Sequence, residues 1–490
     1  MFPTGLDRAS ASLFGLALFG VTLFLAASLG GAIDVVDGTS FPLLFAALAA
    51  VVVAPWIVAI RRGRVDVFEP ILFHSIFVAM VVIALFDRVH LQEWQWQYEE
   101  ISYGYVEGFT IFGLAYLAFF TSVLFGYYVI GGRYCASISI RWLPSVPAAE
   151  NYPVRAARWL GIAYVGIGTA SYLVLLRTGV PGGDVLYIYT TGVSRAEIFA
   201  EQTHLLIGSF LIYIGYFVWL TAKLAERKFL RVRDFFPVPV IMAVFVTLGG
   251  RGRVFGILLT AFVVFYYAYR FEVVRTEGLV SRVLRAIPMP IAAALLTLLG
   301  IAAGAIVTVL GGIREGRTPA EAVEDVELTS ILTAGVQNTK IDTFLLLTEF
   351  VPGELDFYYG SFYARAALNY VPSEYWDSKP VLTVGALIRR MFRPEQSGGR
   401  TVGQLGDYYI NFGYPGILVM GVLLGVLFSV MYRGLRRNRD SPFAILVYAF
   451  LLTSIGQAGL TNNGLETLLF ELGALVPLLV VYHAQRIVRG

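Results

Sequence analysis

Apolar runs of about twenty residues, separated by short polar and charged clusters, recur from the start of the sequence to its end. They fall at 11–30, 41–60, 69–87, 106–130, 157–176, 204–222, 235–248, 254–269, 287–310, 416–432, 443–460 and 465–482. Each has roughly the length that carries a helix across ~30 Å of hydrocarbon. A backbone in lipid must satisfy its hydrogen bonds within its own segment, so the runs predict helices and not strands. The fold class predicted is an all-α polytopic membrane protein with about twelve transmembrane helices, and an even count puts both termini on one side.

One connection breaks the rhythm. Residues 311–415 separate the ninth and tenth runs and carry 13 Asp and Glu against 9 Lys and Arg, a mildly acidic balance. Stretches near 319–349 and 381–392 read as amphipathic helices. A structureless loop of this length is uncommon, so an ordered external cap on the helix mouths is expected. The chain thus divides into transmembrane residues 1–310, a large external loop 311–415, and transmembrane residues 416–490.

Composition agrees with this pattern. The chain is 57% hydrophobic and 14% charged, with a mean hydropathy of +0.70. A water-soluble domain carries roughly a quarter charged residues, so a soluble enzyme is excluded. The single cysteine, Cys135, allows no internal disulfide. His74, His90, His204 and His483 lack ligand-like spacing, so no metal and no cofactor are expected. Neither is a nucleic-acid partner.

The arginines and lysines set the orientation. Connections on one side of the twelve-span topology, with both termini, hold 23 of them; short connections on the other side hold 5, and the long loop holds 9. The positive-inside rule weighs short loops, so the first side is cytoplasmic. Ala26-Ala27-Ser28 could mimic a signal-peptide cleavage site, but its removal would invert this charge pattern, so an uncleaved first span is expected.

Four stretches carry candidate chemistry, all on the external side of this topology. The first is Gly249-Gly250-Arg251-Gly252-Arg253, a tight turn opening the eighth span. A helix N-terminus offers free N–H groups and the positive end of its dipole. Gly250 and Gly252 let the backbone curl around an anion. Arg251 and Arg253 add forked, permanently charged donors suited to phosphate oxygens. The constellation reads as a diphosphate site; the alternative is that both arginines snorkel to lipid headgroups. Arg314 and Arg317, after the ninth span, either complete that site or anchor a helix end.

The second is an aromatic stretch, 357–376, which includes Tyr370 and Trp376. Such rings suit a membrane interface and also stack on sugars. The segment Pro372 to Pro380 reads as a rigid turn presenting Glu374 and Lys379. The third runs from Arg400 to Gly416 and holds Asp407, Tyr408 and Asn411. Asp407 reads either as a general base or as a carboxylate near a helix N-terminus, and Pro415 as a helix-start signal. Gly421 and Gly425 read as close helix packing. The fourth is Asn338 to Thr343, where Lys340 and Asp342 form either a surface pair or part of the site. His204 is a further candidate base. Trp94, Trp96, Tyr98, Tyr103 and Tyr105 read as an interfacial belt.

Taken together, the arginine turn, Gly360-Ser361-Phe362-Tyr363, the Pro372 to Pro380 segment and the Asn411-Phe412-Gly413-x-x-Gly416 run resemble, in order, the oligosaccharide repeat-unit polymerases of the O-antigen and capsule (Wzy) type. The resemblance spans roughly 249–433. It implies a GT-C-like helical fold in the bacterial inner membrane and a metal-independent, inverting glycosyltransferase. The donor would be a growing glycan on undecaprenyl diphosphate and the acceptor a repeat unit on the same lipid. Membrane lipids, and a chain-length regulator, are the other partners it brings into view. Arg251 and Arg253 would stabilise the departing diphosphate, supported by Arg314 and Arg400, with Asp407 or Asp342 as base. A glycan ligase needs the same phosphate site. A flippase or other transporter is the rival of another class, although no internal repeat is seen. An intramembrane protease or acyltransferase finds no Ser–His pair, and Cys135 falls on the cytoplasmic side.

Overall fold

The computed structural model describes residues 41–62, 65–91, 98–134, 147–180, 202–226, 234–248, 251–273, 338–366, 383–394, 402–457 and 459–489, with a few isolated positions such as Trp96 and Trp376. Among them every regular element is helical. The helices are α1 (Phe41–Arg61), α2 (Pro70–Leu91), α3 (Tyr105–Leu124), α4 (Val154–Gly179), α5 (Thr203–Ser209), α6 (Leu211–Ala225), α7 (Pro237–Thr247) and α8 (Arg251–Arg270). Then come α9 (Asn338–Phe350), α10 (Ser361–Ala366), α11 (Val384–Phe392), α12 (Gln404–Arg437), α13 (Pro442–Leu451) and α14 (Asn462–Arg489). Two π-helical stretches, Phe125–Tyr134 and Leu452–Gly456, continue α3 and α13.

Seven of the described helices are long and apolar enough to cross a membrane, and α2, α7 and α13 supply shorter apolar ones. The chain is a helical membrane protein. The expected spans at 11–30 and 287–310, Cys135 and the Ala26-Ala27-Ser28 stretch lie outside the described residues.

Small residues let the helices approach where lipid supplies no hydrophobic drive. A Cβ on Gly425 of α12 would lie 2.1 Å from the Val123 carbonyl oxygen of α3, and one on Gly421 2.8 Å from that of Phe119. Both glycines therefore serve close helix contact, as expected. Gly161 of α4 and Gly215 of α6 meet in the same way, each Cβ position 2.7 Å from the other's carbonyl oxygen. Away from that seam α4 turns Trp159, Ile162 and Leu173 outward.

The cap is not a loop resting on the mouth. Helix α9 was expected to be amphipathic, yet Ile341 through Leu347 are all at most 1% exposed. It packs against both α3 and α12, so a polar face has nowhere to point. Tyr98 is likewise buried, its ring edge-on to Phe392 of α11 with the Arg393 guanidinium over it. The Trp96 indole donates to the Tyr103 carbonyl and packs on Tyr105 and Phe109. The carboxylate of Glu349 accepts from the Ser102 backbone N–H. The stretch 96–105, expected as an interfacial belt, also forms the joint between cap and bundle. Trp94 lies outside the described residues.

The opposite face is tied by one carboxylate. Asp66, 2% exposed, accepts from Tyr432 (2.8 Å) and Tyr267 (3.1 Å) and pairs with Arg270 (3.0 Å). Glu69 accepts from Tyr127 beside it. These bonds fasten the α1–α2 connection to the ends of α3, α8 and α12.

Candidate functional site

The cap meets the bundle at a break in α12. Gly413 takes φ 67° and ψ −161°, and the helix restarts with Pro415 in its first turn. Only the restart was anticipated; the expected span began at 416, whereas the helix already runs from Gln404. The reason is composition. Residues 404–412 include Asp407, two tyrosines and Asn411, so they do not read as an apolar run. The break frees two carbonyls, because the Asn411 oxygen faces a proline with no N–H and Gly413 is out of register. Tyr358 N–H donates to the Ile410 carbonyl (3.1 Å) and Tyr359 N–H to that of Asn411 (2.9 Å). Gly360 follows at φ 82° and donates to Asn411 Oδ1 at 3.0 Å. Residues Tyr358 to Gly360, which lead into the Gly360 to Tyr363 motif, are thus the clasp that docks the cap segment onto α12.

Below the clasp lies a buried polar junction. Asp407, 4% exposed, accepts from the Asn462 backbone N–H at 2.9 Å and lies 3.4 Å from Asn411 Nδ2. Asn411 Nδ2 also donates to the Asp407 carbonyl (2.7 Å), and Asn462 Nδ2 to that of Phe362 (2.6 Å). Asp407 therefore sits in the first turn of α12, as expected, and also at the N-terminus of α14. The Tyr408 hydroxyl accepts from Leu460 N–H at 2.8 Å, over Gly459 at φ 72°. Gln404 Nε2 donates to the Tyr116 hydroxyl (2.8 Å). Burial, then the charge of Asp407, pushes the Tyr363 phenol far above its usual range, so it stays protonated and can donate.

Lys340 and Asp342 are not a surface pair. Two residues apart on a helix, their side chains leave α9 in different directions. Asp342 is fully buried, and the Lys340 stem lies against Gly403 at the start of α12. Burial holds the Lys340 ammonium down to about 8. The junction thus brings Asp407, Tyr408 and Asn411 together, while Lys340 packs at Gly403, at the start of the same helix.

Arg253 belongs to a second centre. Helix α8 begins at Arg251, so both arginines lie in its first turn and not in a preceding loop. The Arg253 guanidinium stacks on the Phe210 ring, 3.9 Å from its centroid, and donates to the Tyr213 hydroxyl at 3.4 Å. Tyr213 in turn donates to Glu471 (2.9 Å), whose other oxygen accepts from Ser454 (2.8 Å). Glu471 is 4% exposed on α14, about 13 Å beyond Asn462 at 1.5 Å per residue. Ser454 lies in the π-helical turn after α13, an irregularity common at functional positions. The same turn leaves the Gly456 carbonyl to His74 Nδ1, at 2.8 Å.

Sequence reasoning missed Glu471, Tyr213 and Asn462, and singled out Tyr363 only as part of the Gly360 to Tyr363 motif. Glu471 alone left a signal: a carboxylate inside the apolar run 465–482, costly there unless paired. His204 is exposed at the start of α5. Trp376 is half-buried. The side chains of Arg251 and of Gly250, Gly252, Arg314, Arg317, Tyr370, Lys379 and Arg400 lie outside what the structure describes.

No family model matches the chain, and no curated protein or solved structure does either. The class that the fold defines is a helical membrane protein with a docked cap and an arginine–carboxylate centre inside its bundle.

Proposed function

We propose that this protein is an oligosaccharide repeat-unit polymerase of the bacterial inner membrane. In this reading the chain has twelve spans, 11–30 and 287–310 among them, with cytoplasmic termini and a GT-C-like arrangement. A growing glycan passes from undecaprenyl diphosphate to a lipid-linked repeat unit at the cap face, without metal, and undecaprenyl diphosphate leaves. The observation that carries the reading is Arg253. It is a permanent cation in the first turn of a membrane helix, held on a ring face and a hydroxyl, with Arg251 two residues before it. A fixed cation at a helix N-terminus stabilises charge that develops on a leaving diphosphate. Arg314, Arg317 and Arg400 are further candidate ligands. Asp407, engaged at the start of α14, keeps a holding role in this reading.

The test is a chromosomal deletion complemented with the native gene, Arg251→Ala or Arg253→Ala, followed by gel analysis of surface and lipid-linked glycans. The expected ladder collapses to single repeat units, and neither variant restores it. Long chains accumulating on the lipid carrier would make the protein a ligase instead.

One observation favours a transporter as the second reading. Ionisable groups inside a bundle often mark a transport path, and Glu471 with Arg253 is such a pair. Flux of lipid-linked oligosaccharide in proteoliposomes, abolished in Glu471→Ala, would favour it over the polymerase.

A further inference from the structure

Glu471 takes no part in the phosphate chemistry proposed above, yet it is the carboxyl group that Tyr213 links to Arg253. Its two oxygens are fixed by Tyr213 and Ser454, from α6 and the π-helical turn, and the Tyr213 hydroxyl also accepts a hydrogen bond from Arg253. The guanidinium makes only that one hydrogen bond among the described residues, at 3.4 Å, so most of its five donors are left for an anion. Resting on the reading of Arg253 as a diphosphate ligand, we propose that Glu471 is its resident counter-ion. It holds the arginine in the bundle between turnovers and weakens its grip on the diphosphate, so that product leaves.

The physics has a definite sign. Arg253 in a low-dielectric bundle without a counter-charge carries a desolvation penalty, which a carboxylate one hydroxyl away reduces. The same carboxylate repels any phosphate that the guanidinium binds, with little water to screen it. A leaving group held as tightly after reaction as during it would stall the enzyme. Glu471 acts through Arg253 and is a positioning residue, not one that touches substrate.

The experiment uses the full chain in nanodiscs with farnesyl diphosphate as the probe, and compares native protein, Arg253→Ala, Glu471→Gln and Tyr213→Phe. Glutamine keeps an acceptor for Tyr213 and loses the charge. Glu471→Gln is expected to bind the probe roughly tenfold more tightly, while polymerisation shows lower kcat and lower KM. Arg253→Ala should bind weakly, and Tyr213→Phe, which cuts the link but keeps both charges, should fall between native and Arg253→Ala. A merely structural glutamate predicts weaker binding in Glu471→Gln, because damage does not tighten a site. Loss of binding in Arg253→Ala without tightening in Glu471→Gln overturns the counter-ion role and leaves the diphosphate site standing. Native-like binding by Arg253→Ala overturns both.

Discussion

Asp407 shows how one side chain can satisfy two readings until its neighbours are known. As a base it would need a free oxygen toward an acceptor hydroxyl. Instead one oxygen receives the first N–H of α14 and the other faces Asn411 and the Tyr363 phenol. A carboxylate at a helix N-terminus contributes roughly 0.5–2 kcal/mol. Asp407→Asn keeps an oxygen for the Asn462 N–H, so it should retain most of the proposed polymerising activity. Asp407→Ala should lower the melting temperature by several degrees. Abolished polymerisation in Asp407→Asn, at an unchanged melting temperature, would restore the base.

At the scale of elements, apolar run length located the helices well and their junctions poorly. The runs at 41–60, 157–176 and 235–248 overlie α1, α4 and α7 closely. A helix was expected over most of α9, but its burial was not, and residues 404–412 escaped altogether, because burial there comes from protein on several sides and both sequences mix polar with apolar residues. The Gly249 to Arg253 stretch stood out by its glycine and arginine spacing, and the structure puts both arginines in the first turn of α8. Glu471 and Tyr213 were not paired with it, because 258 residues separate them and only the packing of α6 on α14 brings them together. Glycine spacing did foretell the tightest contact. Gly425→Ala pushes a methyl against the Val123 carbonyl, and the clash should cost about 2 kcal/mol or more. Gly473, on α14, has open space around its Cβ position, so Gly473→Ala should be neutral or gain up to about 1 kcal/mol. Thermal unfolding of the two variants in one detergent checks the contrast, and equal effects would refute the assigned contact.

At the scale of the molecule, the packing of α9 against α3 and α12 predicts one cooperative body and not a scaffold with a swinging lid. The core runs without interruption from Phe112 of α3 through Phe344 of α9 to Tyr409 of α12. The Tyr409 hydroxyl then donates to the Val351 carbonyl just past α9. Lys340 provides a reporter, because it belongs to the cap and its half-buried stem packs against Gly403 at the start of α12. Its ammonium is held down to about 8 in the folded protein, against 10.5 for the free side chain. Between those values the unfolded chain binds the extra proton, so stability rises with pH from about 8 to 10.5 and is flat on either side. Lys340→Met removes the titration and should raise stability below pH 8 by roughly 2–3 kcal/mol. A cooperative body predicts that the whole bundle's melting temperature rises over that window in native protein and that this rise is absent in Lys340→Met. A cap that opens independently predicts the same bundle melting curve for both proteins, with the difference confined to amide exchange in α9. The two outcomes separate a site built into the membrane core from one assembled when a lid closes.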